Sequence, residues 1–119
     1  MKSILLVEDE HDISEIIYEY LSSKKYRVTK CYDGLEGYVE FMQNEYDLVI
    51  SDILMDNMQG TELVSLIRAN SKDVPIIVIS ALQTKYEKEL VLKAGANKFV
   101  SKPFSIKQIS DSVEELLGE

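Results

Sequence analysis

The sequence predicts an α/β fold, a doubly wound parallel sheet of five strands flanked by five helices, and three observations carry that prediction. Short apolar runs of strand length alternate strictly with segments of helical periodicity, the pattern that right-handed βα crossovers build into an open parallel sheet. The runs Ile4–Val7 and Ile76–Ile79 show no polar alternation, which marks central strands covered by helices on both faces. Four runs end in a group able to handle an anion or a cation. Ile4 to Val7 leads into Glu8 and Asp9, Leu48 to Ser51 into Asp52, Ile76 to Ile79 into Ser80, and Phe99 to Ser101 into Lys102. As parallel strands they would share one edge, where open α/β sheets place their ligand site.

Taken in order, the first strand is predicted near 3–7 and the first helix near 12–23. In that helix Ile13, Ile16, Ile17, Tyr20 and Leu21 form one apolar face, and Asp12 with Glu15 has capping-box spacing. The second strand, near 27–31, alternates and reads as a sheet edge. A helix near 35–44 follows, with Leu35, Tyr38, Val39 and Met42 as its core stripe and Asp33 with Glu36 as its cap. The third strand falls near 47–51 and the third helix near 60–69, on Leu63, Leu66 and Ile67. Pro75 precedes the fourth strand, near 76–79, and Thr84 with Glu87 opens a helix near 84–94 that Gly95 closes. The fifth strand lies near 97–101. Ser105 with Gln108 caps the last helix, near 105–117, whose stripe is Ile106, Ile109, Val113, Leu116 and Leu117 and whose stop is Gly118.

A chain of 119 residues, 45% apolar and 29% charged, is one globular domain spanning 1–119. Its formal net charge of −8 argues against direct nucleic-acid binding and favours metal cations and basic partner surfaces. Cys31 is the only cysteine, so neither an internal disulfide nor a thiolate metal cluster can form, and it reads as small apolar filler at a strand end. The apolar runs are too short to span a membrane, and the start is too quickly acidic for a secretory signal. A cytoplasmic location is expected.

Glu8, Asp9 and Asp52 within a few ångströms would repel until one kept its proton or a cation entered. A hard divalent ion such as magnesium resolves that conflict with oxygen ligands alone. His11 is the only histidine, so nitrogen ligation offers little. An isolated acid pair after a strand reads as a solvated turn; its coincidence with Asp52 and Lys102 reverses that preference.

The acid pair Glu8–Asp9, Asp52 with Met55, Met58 and Gly60, Ser80–Ala81, and Lys102–Pro103–Phe104 stand in register with the strand and helix pairs. With these motifs the chain resembles a receiver domain of two-component response regulators along essentially its whole length. The resemblance implies a flavodoxin-like sheet of strand order 2-1-3-4-5. It implies that Asp52 accepts a phosphoryl group from a sensor histidine kinase or phosphotransfer protein, giving an acyl phosphate. Mg2+, with Mn2+ as a possible substitute, would be held by Asp9, Asp52 and the Leu54 backbone carbonyl, with Glu8 acting through water. Lys102, the Ser80 hydroxyl and the Ala81 backbone amide would take the phosphoryl oxygens, and the Lys102–Pro103 bond would be cis.

Ser80 and Phe99 would form the switch, the ring turning inward as the hydroxyl is drawn to the phosphoryl group. No enzyme activity is implied beyond the chain's own phosphorylation and dephosphorylation. The first helix, with Ile13, Ile16 and Ile17, would meet the kinase, and the face of helix four, strand five and helix five would meet a downstream effector. Lys85, Tyr86, Lys88, Lys98 and Gln108 belong near that second face. A phosphorylation-linked dimer is compatible with it, but Asn97, Lys98 and Ser112 do not form the charge set of winged-helix regulators. Asp56 stands where the family usually has proline, so the loop after Asp52 loses a rigid turn residue and gains a negative charge. Leu54 and Leu82 are apolar where many relatives carry polar groups that orient water, which implies a long-lived phosphoryl group. The alternatives are a receiver-like interaction module that works without phosphate and a small phosphohydrolase. The second is disfavoured by Leu54, which occupies the place of a second acid, and by the lack of room for a cap domain within these 119 residues.

Overall fold

The computed structural model describes residues 1–53, 58–81 and 84–119. Its strands are β1 (Ser3–Val7), β2 (Arg27–Cys31), β3 (Leu48–Asp52), β4 (Ile76–Ser80) and β5 (Lys98–Ser101). They form one parallel sheet in the order β2-β1-β3-β4-β5. The helices are α1 (His11–Ser23), α2 (Gly34–Gln43), α3 (Gly60–Asn70), α4 (Lys85–Ala94) and α5 (Ile106–Leu117). Every element falls within two residues of its predicted bounds. β3 ends on Asp52 and β4 on Ser80, so both polar groups belong to the sheet itself.

Side chains alternate across a strand, and the two parities build two cores. Ile4, Leu6, Leu48, Ile50, Ile77 and Ile79 pack with Ile17 and Leu21 of α1 and with Ile109 and Val113 of α5. On the other face Leu5, Val7, Val49, Ile76 and Val78 pack with Leu63, Val64 and Ile67 of α3 and Val91 of α4. The three central strands are therefore covered on both faces, as their unbroken apolar runs require. β2, with only its last residue buried, is one edge of the sheet.

Two helices seat differently from their sequence stripes. In α1, Ser14 is buried while Ile16 is 57% exposed. Its N-cap is Glu10, which makes no side-chain capping bond. Asp12 is thus not a cap but a first-turn residue, placed where a carboxylate meets the positive end of the helix dipole. In α2, Leu35, Val39 and Met42 face outward at 50, 44 and 48% exposure, and Gly34 and Gly37 are buried in their stead. The physical reason is a close approach: a Cβ on Gly37 would stand 2.7 Å from Val7 Cγ2. The helix backbone rests on the strand through its glycines, and Tyr38 and Phe41 fill the flanking space.

The remaining caps follow the sequence. Asp33 accepts from the Glu36 amide, Thr84 from the Glu87 amide, and Ser105 with Gln108 forms the full reciprocal box. The Lys102–Pro103 peptide is cis. No helix among the described residues is long and apolar enough to cross a membrane.

Candidate functional site

Strand register brings the polar strand ends to one place. Val7 pairs with Ser51, Asp52 with Ile79, and Ser80 with Ser101, so Glu8, Asp52, Ser80 and Lys102 all meet at the carboxyl edge of the sheet. Backbone bonds fix the flanks: the Glu8 amide donates to the Cys31 carbonyl at 3.0 Å, and the Lys102 amide to the Ser80 carbonyl at 2.8 Å. α3 starts directly beneath Asp52. A Cβ on Gly60 would stand 2.2 Å from the Asp52 carbonyl oxygen, so glycine alone permits that approach, and the Gly60 amide donates to the Ile53 carbonyl at 2.7 Å.

Lys102 Nζ lies 3.0 Å from Asp52 Oδ2, 3.2 Å from Glu8 Oε1 and 3.4 Å from Glu10 Oε1. Asp52 is 5% exposed and Glu8 1%. Asp52 Oδ1 accepts from the Ile53 amide at 2.7 Å, and Glu8 Oε2 from the Glu10 amide at 3.1 Å. One ammonium thus sits among three carboxylates. Burial, reinforced by the field of Asp52, pushes the Glu8 carboxyl up to about 8. Burial acts to lower Lys102, but its hydrogen bond and ion pair with Asp52, and then Glu8, outweigh it and hold the ammonium above its ordinary range.

This donor set fits a hard cation. Carboxylate oxygens of Glu8, Glu10 and Asp52 all lie within 4.8 Å of one another. Glu8 Oε1, although near Lys102, is a buried oxygen without an aligned hydrogen-bond donor. Oxygen ligands in surplus of local positive charge are what magnesium accepts.

Of the residues singled out from sequence, Glu8, Asp52 and Lys102 are brought into direct contact, and Ser80 is wholly buried at the neighbouring strand end. Asp9 is half-buried and is not one of the three clustered carboxylates. Glu10 is, and sequence reasoning passed it over. The signal was present in the acid run Glu8–Asp9–Glu10. Backbone at Glu10 is extended, and along extended chain residues two apart point the same way.

Ala81 is exposed and, with Ile13, Ile16, Pro103 and Phe104, lines a cavity of about 470 Å3 beside the acids. Phe99 is half-buried against the α3 side of the core and borders a second cavity, of about 680 Å3, with Thr84, Lys85 and Lys88. Asn97 has a structural task, its Oδ1 accepting from Arg68 Nη2 and from the Ile76 amide, each at 2.8 Å. Lys98 pairs with Glu115. Leu54, Met55, Asp56 and Leu82 lie outside the described residues.

A parallel five-stranded sheet with an acidic pocket and a lysine at its carboxyl edge defines a class, and comparison with known proteins identifies it. Residues 4–114 match the family model of the response regulator receiver domain. The chain belongs to that family: it is a receiver domain of two-component response regulators, not an enzyme family in itself. It is 38% identical over 114 residues to the regulatory protein VanRB of Enterococcus faecalis, covering 96% of this chain and 51% of the relative. The chain spans about half the length of the curated relatives it matches.

Among solved structures it resembles the response regulator TrrA of Thermotoga maritima in complex with Mg(2+)-BeF, at 36% identity and a TM-score of 0.89 over 98% of this chain and 100% of that one. It also resembles the receiver domain of the sensor histidine kinase PA1611 of Pseudomonas aeruginosa, with a magnesium ion coordinated in its active site cleft. That match is 31% identical, with a TM-score of 0.90 over 99% of this chain and 98% of the other.

Proposed function

We propose that Asp52 is the phosphoacceptor of this receiver domain. The observation that carries the reading is a buried carboxylate at a strand end whose Oδ2 lies 3.0 Å from the Lys102 ammonium, beside a second buried acid. An Asp52 oxygen attacks the phosphorus of a phosphohistidine on a sensor kinase or phosphotransfer protein. The P–N bond breaks, an acyl phosphate forms, and the departing imidazole takes a proton. Phosphoryl transfer passes through a loose transition state, so the protein contributes positioning and charge neutralisation more than covalent chemistry. Lys102 neutralises one equatorial oxygen, and the Ser80 hydroxyl and Ala81 amide donate to another. Mg2+, with Mn2+ as substitute, would supply further charge neutralisation when bound; Glu8 and Asp52, whose oxygens cluster with those of Glu10, would hold it, with Asp9 and the Leu54 carbonyl as the remaining proposed holders.

Drawing Ser80 toward the phosphoryl group lets Phe99 turn inward and alters the α4–β5–α5 face, which acts on an effector domain or protein. The Ile13 and Ile16 side of the cavity receives the kinase. The domain, 1–119, works in the cytoplasm and promotes only its own phosphorylation and dephosphorylation. The TrrA complex with Mg(2+)-BeF supports this reading by analogy.

Incubation with acetyl phosphate and magnesium, followed by intact-mass measurement, tests it. One added phosphoryl group is expected, and none on Asp52→Asn. No adduct on the unaltered chain would favour a module that signals by binding alone, and steady turnover of the donor would favour a hydrolase.

A further inference from the structure

The outer face of α2 has no role in the switch, and its composition is unusual for this molecule. Leu35, Val39 and Met42 recur at i, i+4 and i+7 and are all near half exposed, because the helix seats on the sheet through Gly34 and Gly37. Glu36 and Glu40 run beside them in the same register. No lysine or arginine lies between Lys30 and Arg68 in the sequence. Neither of those two supplies charge to this face. Lys30 Nζ is paired to Glu15 at 2.9 Å and sits 4.1 Å from the centre of the Tyr18 ring. The Arg68 guanidinium donates to the carbonyls of Gly95 and Ser71 and to Asn97. An apolar ridge of two helical turns is thus bordered by two carboxylates that form no ion pair among the described residues. Glu40 Oε1 accepts from the Tyr46 hydroxyl at 2.6 Å and from Asn44 Nδ2 at 3.0 Å, neutral donors that leave its charge in place, and Arg27 lines a cavity with Glu40 but forms no ion pair with it.

We propose that this face of α2 is a docking surface for a basic amphipathic helix of a protein partner. Apolar side chains of such a helix cover Leu35, Val39 and Met42, and its lysines or arginines meet Glu36 and Glu40. Charge decides between occupants. A second copy of this chain would set acid against acid, and an anionic membrane would be repelled by the same groups.

The test titrates a synthetic leucine–lysine helix of about five turns into the isotope-labelled chain and follows backbone amide shifts. Shifts centred on α2 are expected. The substitutions Leu35→Ser, Val39→Ser and Met42→Gln together should weaken binding at least about tenfold, and acetyl phosphate labelling of the chain should be unchanged. Glu36→Gln with Glu40→Gln should weaken binding and flatten its salt dependence. Val39→Ser alone, which disturbs the helix least, gives the same direction should the triple variant lose its fold. Any of four results would overturn the proposal: shifts confined to the Glu8–Glu10 edge, equal affinity in the apolar variants, equal binding of a leucine–glutamate peptide, or chain self-association or adsorption to phosphatidylserine vesicles that the apolar substitutions abolish.

Discussion

Helices α2 and α5 carry apolar stripes of similar spacing, yet only α5 turns its stripe to the sheet. In α5, Ile109 and Val113 are fully buried against Ile4, Leu6 and their neighbours, and a reciprocal capping box fixes where the helix begins. In α2 the buried positions are Gly34 and Gly37, and of the four stripe side chains Leu35, Val39 and Met42 look out while only Tyr38 packs inward. The difference lies in the strand surface beneath. Val7 fills the space under α2, so the helix docks at backbone distance and a large residue at position 37 has nowhere to go. An apolar stripe identifies the core face of a helix only when no second stripe, of small residues, offers a closer fit.

The largest expected effect is on the α5 side. Ile109→Ala removes a wholly buried side chain and should cost about 2–5 kcal/mol in denaturant unfolding. Leu35→Ser, measured the same way, should fall within about 0.5 kcal/mol of the unaltered protein, as surface changes do. Equal losses at the two positions would break the distinction between the helices.

Next is the glycine seat. Gly37→Ala gains about 1 kcal/mol of helix propensity but drives a methyl to 2.7 Å from Val7 Cγ2, and overpacking of this kind costs about 1–3 kcal/mol. A net loss is expected. Val7→Ala should relieve it in the double variant, and a double-mutant cycle with no coupling would show that α2 rests elsewhere.

The same contrast explains what could be read in advance. β1, β3 and β4 declared themselves because strands buried on both faces need unbroken apolar runs, and Glu8, Asp52, Ser80 and Lys102 converged because parallel strands share a polarity. Strand order came from the resemblance to receiver domains, since periodicity does not encode which strands pair. The seat of α2 was hidden because it depends on the distance between helix and strand, a tertiary quantity. Ser14 in place of Ile16 on the buried face of α1 is the same kind of miss. Glu10 joined the acid cluster through the extended backbone at the entrance to α1, and a helix start predicted one residue late concealed it.

The smallest expected effect sits where the α2 seat meets the sheet edge. Cys31 ends β2 and is buried; burial, then the fields of Glu36 and Glu40 on α2, push its thiol from an ordinary value of 9.0 up to about 12. A thiol raised in this way favours the folded state in full below 9 and gives that contribution up as the pH climbs from 9 toward 12, because the unfolded chain ionises first. Near pH 10 the loss is about 1 kcal/mol. Unfolding curves of the unaltered chain and Cys31→Ala, compared from neutral pH upward, isolate it from the tyrosines and lysines that titrate in both. The unaltered chain should lose ground to the variant only above about pH 9. The native thiol should also resist alkylation at neutral pH and react once the chain is unfolded. A pH-independent difference, or native alkylation as fast as in the unfolded chain, would mean that α2 does not cover this strand end. The outward stripe would then need another explanation than the glycine seat.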